Sequence, residues 1–398
     1  MSAYVFVIGV CTIVILSFLF SYISRKTDIP SVLMLIGLGI GIQQGLKYLG
    51  IEPQYFNTLE VLGIVGLIMI VLEAALDLEL KREKWPIIWK SFLISFLLLF
   101  SSSLLIAFII QLFIQNVDYV TALIYAIPFS IMSSAIIIPS VANMPSHKRE
   151  FMIYESTFSD ILGIMFFYFL IENINAHGVG EVVLSLSGNI VITILISVVL
   201  SYVMLYIVQK IKAETRFFLF LSVLVLLYAV GKMMHLSSLL IILMFGLLLR
   251  NYRVLLFPGM KKKLNEQVID GLFEHFKMIT IETSFLVRTL FFVVFGISMS
   301  LESLVSQRVW MISVVFVLVL YILRFLVFWA VERKDIIPQI FLSPRGLISI
   351  LLFFAIPEEF RVPDFESGAL LLVIIFSSII MALSLILQKR SGGVKKVD

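Results

Sequence analysis

Apolar residues dominate stretches of this chain longer than a water-soluble core requires. Pro86 to Gln115 is one such run and Val183 to Gln209 is another. A helix of 18 or more apolar residues is long enough to cross about 30 Å of hydrocarbon. Closed barrels are excluded, because barrel strands alternate apolar and polar residues and these runs do not. What remains is a bundle of membrane-crossing helices. The composition agrees: 61% of residues are hydrophobic and 14% are charged, against about 25% charged in a soluble domain.

The runs predict an all-α polytopic membrane protein with about thirteen spans. They fall near 3–24, 30–49, 58–80, 86–114, 118–143, 150–174, 183–209, 214–232, 235–250, 284–300, 306–331, 337–356 and 367–388. The more polar stretch at 264–283 is expected to be an interfacial helix continuing into the tenth span. The N-terminus has neither a basic n-region nor a small-residue cleavage site, so Ala3 to Ile23 reads as a retained first span. Cys11, the single cysteine, lies within it and can form no intrachain disulfide.

The net charge of +4 is topology information, not a signal for nucleic acid, because the basic residues cluster between spans. Loops after odd-numbered spans carry Arg25 and Lys26, Lys81, Arg82 and Lys84, Lys148 and Arg149, the Lys261–Lys263 cluster and the C-terminal lysines. The opposite side has only Lys47, Lys232, Arg308 and Arg361. The positive-inside rule then predicts an outside N-terminus and a cytoplasmic C-terminus in the inner or plasma membrane. Loops are short, so any activity is expected to reside in the membrane helices.

A charge at mid-bilayer costs at least ~2.5–3.5 kcal/mol and needs a reason. The candidates are Glu73 and Asp77 on the third span, Glu155 and Asp160 on the sixth, and Arg288, Arg324 and Arg345 on the tenth to twelfth. Asp77 is close enough to Lys81 to be an end-of-helix residue. Asp160 lies about ten residues, or ~15 Å of helix rise, beyond the Lys148–Arg149 boundary, near mid-membrane. Ser156 and Asp160 are one helical turn apart and share a face. A hydroxyl beside a carboxylate suits a partly dehydrated Na⁺ or Li⁺, since hard cations prefer oxygen. Burial disfavours a bare carboxylate, so the same group accepts a proton when the cation leaves. Competition for one carboxylate is sufficient for antiport.

Two spans carry helix-breaking residues in corresponding places. The fifth reads S-I-M-S-S-A-I-I-I-P-S-V from Ser130, with Pro139 near its end; the twelfth carries Pro344-Arg345-Gly346. Both threaten helical continuity. If spans 1–6 and 8–13 are inverted repeats, both breaks fall in the fifth helix of a repeat, which is the best sequence pointer to a transporter midplane site. The alternative for either helix alone is an ordinary proline kink. His147, His177, His235 and His275 are scattered with no metal-ligand spacing. No nucleophile motif is present, so neither an enzyme nor a cofactor is expected.

These residues resemble the cation/proton antiporter superfamily, and within it the Na⁺/H⁺ exchangers of the NhaP type. The resemblance spans essentially the whole chain. It is carried by "DIPSVLMLIGLGIGI" from Asp28, "LEAALDLELKREKW" from Leu72, "ESTFSD" from Glu155, "FFVVFGISMSL" from Phe291 and "SPRGLISI" from Ser343, in that order.

The resemblance implies that Asp160 binds the cation and the proton, with Ser156 near the ion. It implies that Glu155 pairs with Arg324, that Arg345 is the arginine of the broken twelfth helix, and that Glu73 is an acid near the cation path. Two departures stand out. The family's asparagine before the aspartate is Ser159 here, and its fifth-helix T-D-P motif is replaced by Met132, Ser133 and Ser134. Ser133, Ser134 and unwound carbonyls are then the expected oxygen donors. With one titrating aspartate, the family's single-aspartate members imply electroneutral one-for-one exchange. The resemblance further implies a homodimer. Residues 1–85 and 175–305 would form its scaffold and linker, and 86–174 and 306–398 its moving core. A potassium-efflux or channel-like protein of the same fold, or a non-transporting membrane sensor or effector, are the other readings.

Overall fold

In the computed structural model, the structure describes residues 3–27, 29–48, 56–142, 144–172, 195–207, 209–210, 216–233, 238–256, 259, 265–299, 304–333, 336–363 and 365–390. Among them every regular element is a helix and there is no strand. In chain order the helices are α1 (Ala3–Thr27), α2 (Ser31–Tyr48), α3 (Phe56–Asp77), α4 (Trp85–Phe113), α5 (Tyr119–Ser130), α6 (Ser134–Ser140) and α7 (Ser146–Glu172). They continue as α8 (Leu195–Ile207), α9 (Arg216–Met233), α10 (Ser238–Leu255), α11 (Glu266–Ser298), α12 (Gln307–Val331), α13 (Leu347–Phe354) and α14 (Gly368–Arg390). The first part of the expected seventh span (183–194), Asp28, the basic cluster at 261–263 and the tail from 391 lie outside the described residues.

Among the described residues, seven stretches are long and apolar enough to cross a membrane. The more polar stretch continues into the tenth span, as its sequence suggests. It is the start of α11, a single helix of 33 residues, about 50 Å long.

Local chemistry sets the ends of the helices that matter most here. α4 accommodates Pro86 in its first turn, where the missing N–H has no helical partner to lose. Past its C-terminus, Asn116 takes a left-handed conformation (φ 62°), which asparagine tolerates better than most residues. Asp118 then caps α5: its carboxylate accepts the backbone N–H of Thr121 at 3.0 Å.

The chain divides into two compact units. The first comprises Met1–Gly63, Trp89–Gly163 and Leu286–Asp398. Within it Lys90 pairs with Glu332 at 2.7 Å, and α12 packs along α14, with Tyr321 donating to the Ser377 carbonyl at 3.3 Å. The second comprises Ile64–Ile88 and Ile164–Phe285. There Asn251 brackets the end of α3, donating to the Leu78 carbonyl at 2.8 Å and accepting from Leu80 N–H at 2.7 Å. Glu79 meets Arg250 at 3.0 Å, and Asp77 meets Lys277 at 2.9 Å.

Both expected interruptions are present in the first unit. The fifth span is α5 and α6 joined by the extended residues Ile131–Ser133. The twelfth is a one-turn 3-10 helix, Gln339–Phe341, then five non-helical residues through Gly346, then α13. The first break does not fall at Pro139, which sits inside α6. In so short a helix a proline removes a single N–H bond, and near the end that loss is tolerated. What holds the chain open at 131–133 is the competition for its amides described next.

Candidate functional site

A broken helix frees backbone N–H groups that must find other partners inside a membrane protein. The amides of Met132, Ser133 and Ser134, in and just after the first break, each have a partner. Met132 N–H donates to Ser159 Oγ at 2.9 Å. Ser133 N–H donates to the Pro344 carbonyl at 2.9 Å. Ser134 N–H donates to Asp160 Oδ2 at 3.2 Å, and the Ser134 hydroxyl donates to the same oxygen. Side chains of α7 thus take two of the amides, and the second break takes the third.

The two interrupted segments therefore touch each other at their breaks. The close approach depends on Gly346. A Cβ there would sit 2.5 Å from Ser133 Oγ and 2.8 Å from Ser133 Cβ, distances that side chains do not adopt. Asp160 is 2% exposed and lies on α7 directly beside this contact.

Arg345, in the second break, serves the other end of the first. Its Nε donates to the Phe129 carbonyl at 2.8 Å and one terminal nitrogen approaches the Ser130 carbonyl at 3.4 Å. These are carbonyls of the last turn of α5, which a helix end leaves without N–H partners. A cation there also opposes the negative end of the helix dipole. Its other terminal nitrogen meets the carbonyl and hydroxyl of Ser343, at 2.5 and 2.6 Å. The Arg345 backbone N–H is held by Ser377 Oγ of α14 at 3.0 Å.

Glu155 and Arg324 form a two-pronged ion pair, 2.6 and 3.0 Å between nitrogens and oxygens, with both residues almost fully buried. Arg324 also donates to the Gln339 carbonyl from two nitrogens, at 3.1 and 2.9 Å. Its guanidinium lies over the Phe328 ring, 4.7 Å from the centroid. One arginine on α12 thus fixes α7 and the segment leading into the second break.

Asp160, Ser133, Ser134, Ser159, Glu155, Arg324 and Arg345 therefore gather in one region of the first unit. Ser156 is fully buried on α7, but its hydroxyl donates to the Ile153 carbonyl of its own helix at 3.1 Å. Glu73 is part-buried on α3 and belongs to the second unit. Arg288 is part-buried on α11.

Two further contributors, Ser377 and Gly163, are not among the expected site residues. Ser377 gives no sequence signal, because its partner is 32 residues away. Gly163, three residues beyond Asp160, is an isolated glycine in an apolar helix, a pattern that often marks close packing. A Cβ on Gly163 would collide with Ile131, the first residue of the break, at Cγ1 and Cδ1. The glycine is the notch in which the break seats against α7.

The family model for the transmembrane part of sodium/hydrogen exchangers matches residues 13–389. Two solved structures of the sodium proton antiporter MjNhaP1 from Methanocaldococcus jannaschii, one at pH 8 and one from an electron-microscopy map, are similar in fold. The first has a TM-score of 0.68 at 19% identity, covering 97% of this chain and 99% of the other. The second has a TM-score of 0.66 at 18% identity, covering 99% and 97%. No curated protein matches the chain.

Proposed function

The chain belongs to the sodium/hydrogen exchanger family of transmembrane proteins, and from that premise we propose that it exchanges Na⁺ or Li⁺ for protons, one for one, by competition at Asp160. The observation that carries the reading is where this carboxylate lies: buried on α7, bonded to Ser134 at the start of α6, beside the contact between the two helix breaks. Unwound backbone at membrane depth is tolerated only where protein or a water-filled path satisfies it, and discontinuous helices are where transporters bind their ions.

The chemistry follows from the oxygen set. Asp160 supplies the charge, and the Ser133 and Ser134 hydroxyls with the carbonyls of Ile131–Ser133 supply neutral ligands of the kind Na⁺ and Li⁺ prefer. Ser159 and Ser156 complete the group on α7, and Glu73 is an accessory acid for the cation. A bound cation displaces the proton, and a proton displaces the cation. The positions where the family carries a fifth-helix acid hold Met132 and Ser133, so one carboxylate titrates. Both occupied forms then carry the same charge, and a full cycle moves none. The Glu155–Arg324 pair fixes geometry; a buried pair of this kind specifies structure more than it adds stability.

The same proposal includes a homodimer in the cell membrane with an outside N-terminus and a cytoplasmic C-terminus, as the loop charges indicate. Spans 1–6 and 8–13 are inverted repeats. Residues 86–174 and 306–398 move as the core against a scaffold of 1–85 and 175–305. The missing fifth-helix acid also favours one alternative, a potassium-efflux or channel-like protein of this fold.

The test is proton flux in proteoliposomes on adding Na⁺, Li⁺ or K⁺, with and without an ionophore clamping the voltage. Na⁺ or Li⁺ should drive flux that the clamp leaves unchanged. Apparent cation affinity should fall about tenfold per pH unit below the site pKa, the mass-action limit for one shared proton. Flux driven only by K⁺ and steered by voltage would move the reading to the alternative.

A further inference from the structure

Arg345 is a buried cation that, among the described residues, is in contact with no carboxylate. It is 3% exposed, and none lies within ion-pair distance. Among the described residues its side chain bonds the carbonyls of Phe129, Ser130 and Ser343 and the Ser343 hydroxyl. Arg324, by contrast, is matched by Glu155. Buried charges are ordinarily paired, because a lone charge in low dielectric is costly.

Between Arg345 and the Glu155–Arg324 pair lies a pocket of about 20 Å³, room for one guest the size of a water or a halide. Its wall is rich in donors. The Ser95 hydroxyl is 2% exposed and has no hydrogen-bond partner among the described residues. Ser159 Oγ accepts from Met132 and Ser343 Oγ accepts from Arg345, and neither hydroxyl proton has an acceptor among the described residues. The charge of Glu155, also in the wall, is matched by Arg324, which donates one bond to each of its oxygens. The pocket thus combines hydroxyl protons seeking an acceptor with an unbalanced positive charge.

We propose that this pocket binds one monatomic anion of the halide class, chloride under ordinary conditions, as the counter-ion of Arg345. The wall sets two guanidinium groups against the one carboxylate of Glu155, a net positive charge that disfavours a cation, and the pocket's small size favours a monatomic guest. A water would leave the charge of Arg345 unbalanced. In one respect the inference rests on the reading of Asp160 as the ion site. Asp160 is buried next in sequence to Ser159 of the pocket wall, so protonation or cation binding there leaves the surroundings of the pocket more positive. Halide and the occupant of Asp160 therefore strengthen each other's binding, and linkage makes the effect reciprocal.

Thermal unfolding of the purified protein, titrated with choline chloride or bromide against choline gluconate at fixed ionic strength, tests this. Chloride and bromide should raise Tm saturably and gluconate should not. Ser95→Val, whose added methyl fills the pocket, should lose the response while keeping the wild-type Tm in gluconate. Asp160→Asn should shift half-saturation to severalfold lower chloride. Anomalous diffraction from bromide-soaked crystals of the unmutated protein should place a peak between Ser95 and Arg345, which decides the matter even if the Ser95 variant folds poorly. Equal Tm in chloride and gluconate, or a pocket holding water without bromide, overturns the proposal. An unchanged half-saturation in Asp160→Asn overturns the link to the ion site while the pocket stands. Retained exchange in that variant sinks the ion-site reading and leaves the chloride response untouched.

Discussion

Asp160 and Ser134 stand 26 residues apart in sequence and share two hydrogen bonds, one from the Ser134 backbone N–H and one from its hydroxyl, both to the same carboxylate oxygen. The helix that carries the charge is thereby tied to the first residue beyond the break in its neighbour. Whatever occupies Asp160 acts directly on the break.

Asp160→Asn retains the shape of the side chain and removes its charge and its titration. Cation-driven proton flux in proteoliposomes should fall to background while the purified protein keeps its Tm. Ser134→Ala removes the hydroxyl but not the amide. Hydrogen bonds to charged groups are worth about 1.5–3 kcal/mol, so apparent cation affinity should fall roughly tenfold or more with maximal rate less affected. Flux above a few per cent of wild type in Asp160→Asn would exclude the carboxylate as the shared site.

Removing one partner of the Glu155–Arg324 pair strands the other in a buried site. Glu155→Ala should cost about 3–5 kcal/mol, read as a large loss of Tm or of folded yield. The double variant with Arg324→Ala should recover part of that loss. Recovery stays incomplete because Arg324 also bonds the Gln339 carbonyl, and those bonds go with it. Additive losses in the double-mutant cycle would mean the two residues are uncoupled.

A methyl group at position 163 must displace the Ile131 side chain. Gly163→Ala should push the break away from α7, lengthen the bonds from Met132 and Ser134 to Ser159 and Asp160, and raise the half-saturating cation concentration severalfold. Ile131→Ala, which removes the colliding atoms, should restore it when combined. Failure of the combined variant to recover affinity would show that the notch does not set the break.

Asp118, the cap just ahead of the candidate span that begins at Tyr119, gives a pH signature. Burial alone raises its pKa, but hydrogen bonds from Thr121 and neighbouring amides outweigh that and hold it below the ordinary 3.8. A carboxylate depressed in the folded state contributes stability that is present above the unfolded value and is lost as pH falls through the folded one. Asp118→Ala should therefore cost about 1 kcal/mol near neutrality, as for other helix caps. The gap in Tm should close as pH drops below the carboxylate range. A gap independent of pH would remove the cap from the account.

The sequence by itself determined the features that depend on a few adjacent residues. Apolar length defined the spans, because a helix must satisfy its own backbone across the hydrocarbon. The charges of Glu155, Asp160, Arg324 and Arg345 stood out because such residues are costly there. The run Pro344-Arg345-Gly346 marked the second break, since proline lacks an N–H and glycine admits close approach. For the first break the same logic pointed to Pro139, and the chain instead opens at Ile131–Ser133. The reason is not local: the Met132 and Ser134 amides are claimed by Ser159 and Asp160 on another helix. Likewise only the tertiary structure decided that Ser133 meets Pro344, that Arg345 covers the end of α5, and that Ile131 seats in the notch at Gly163. Those partners are brought together by packing, which a pattern of neighbouring residues does not encode.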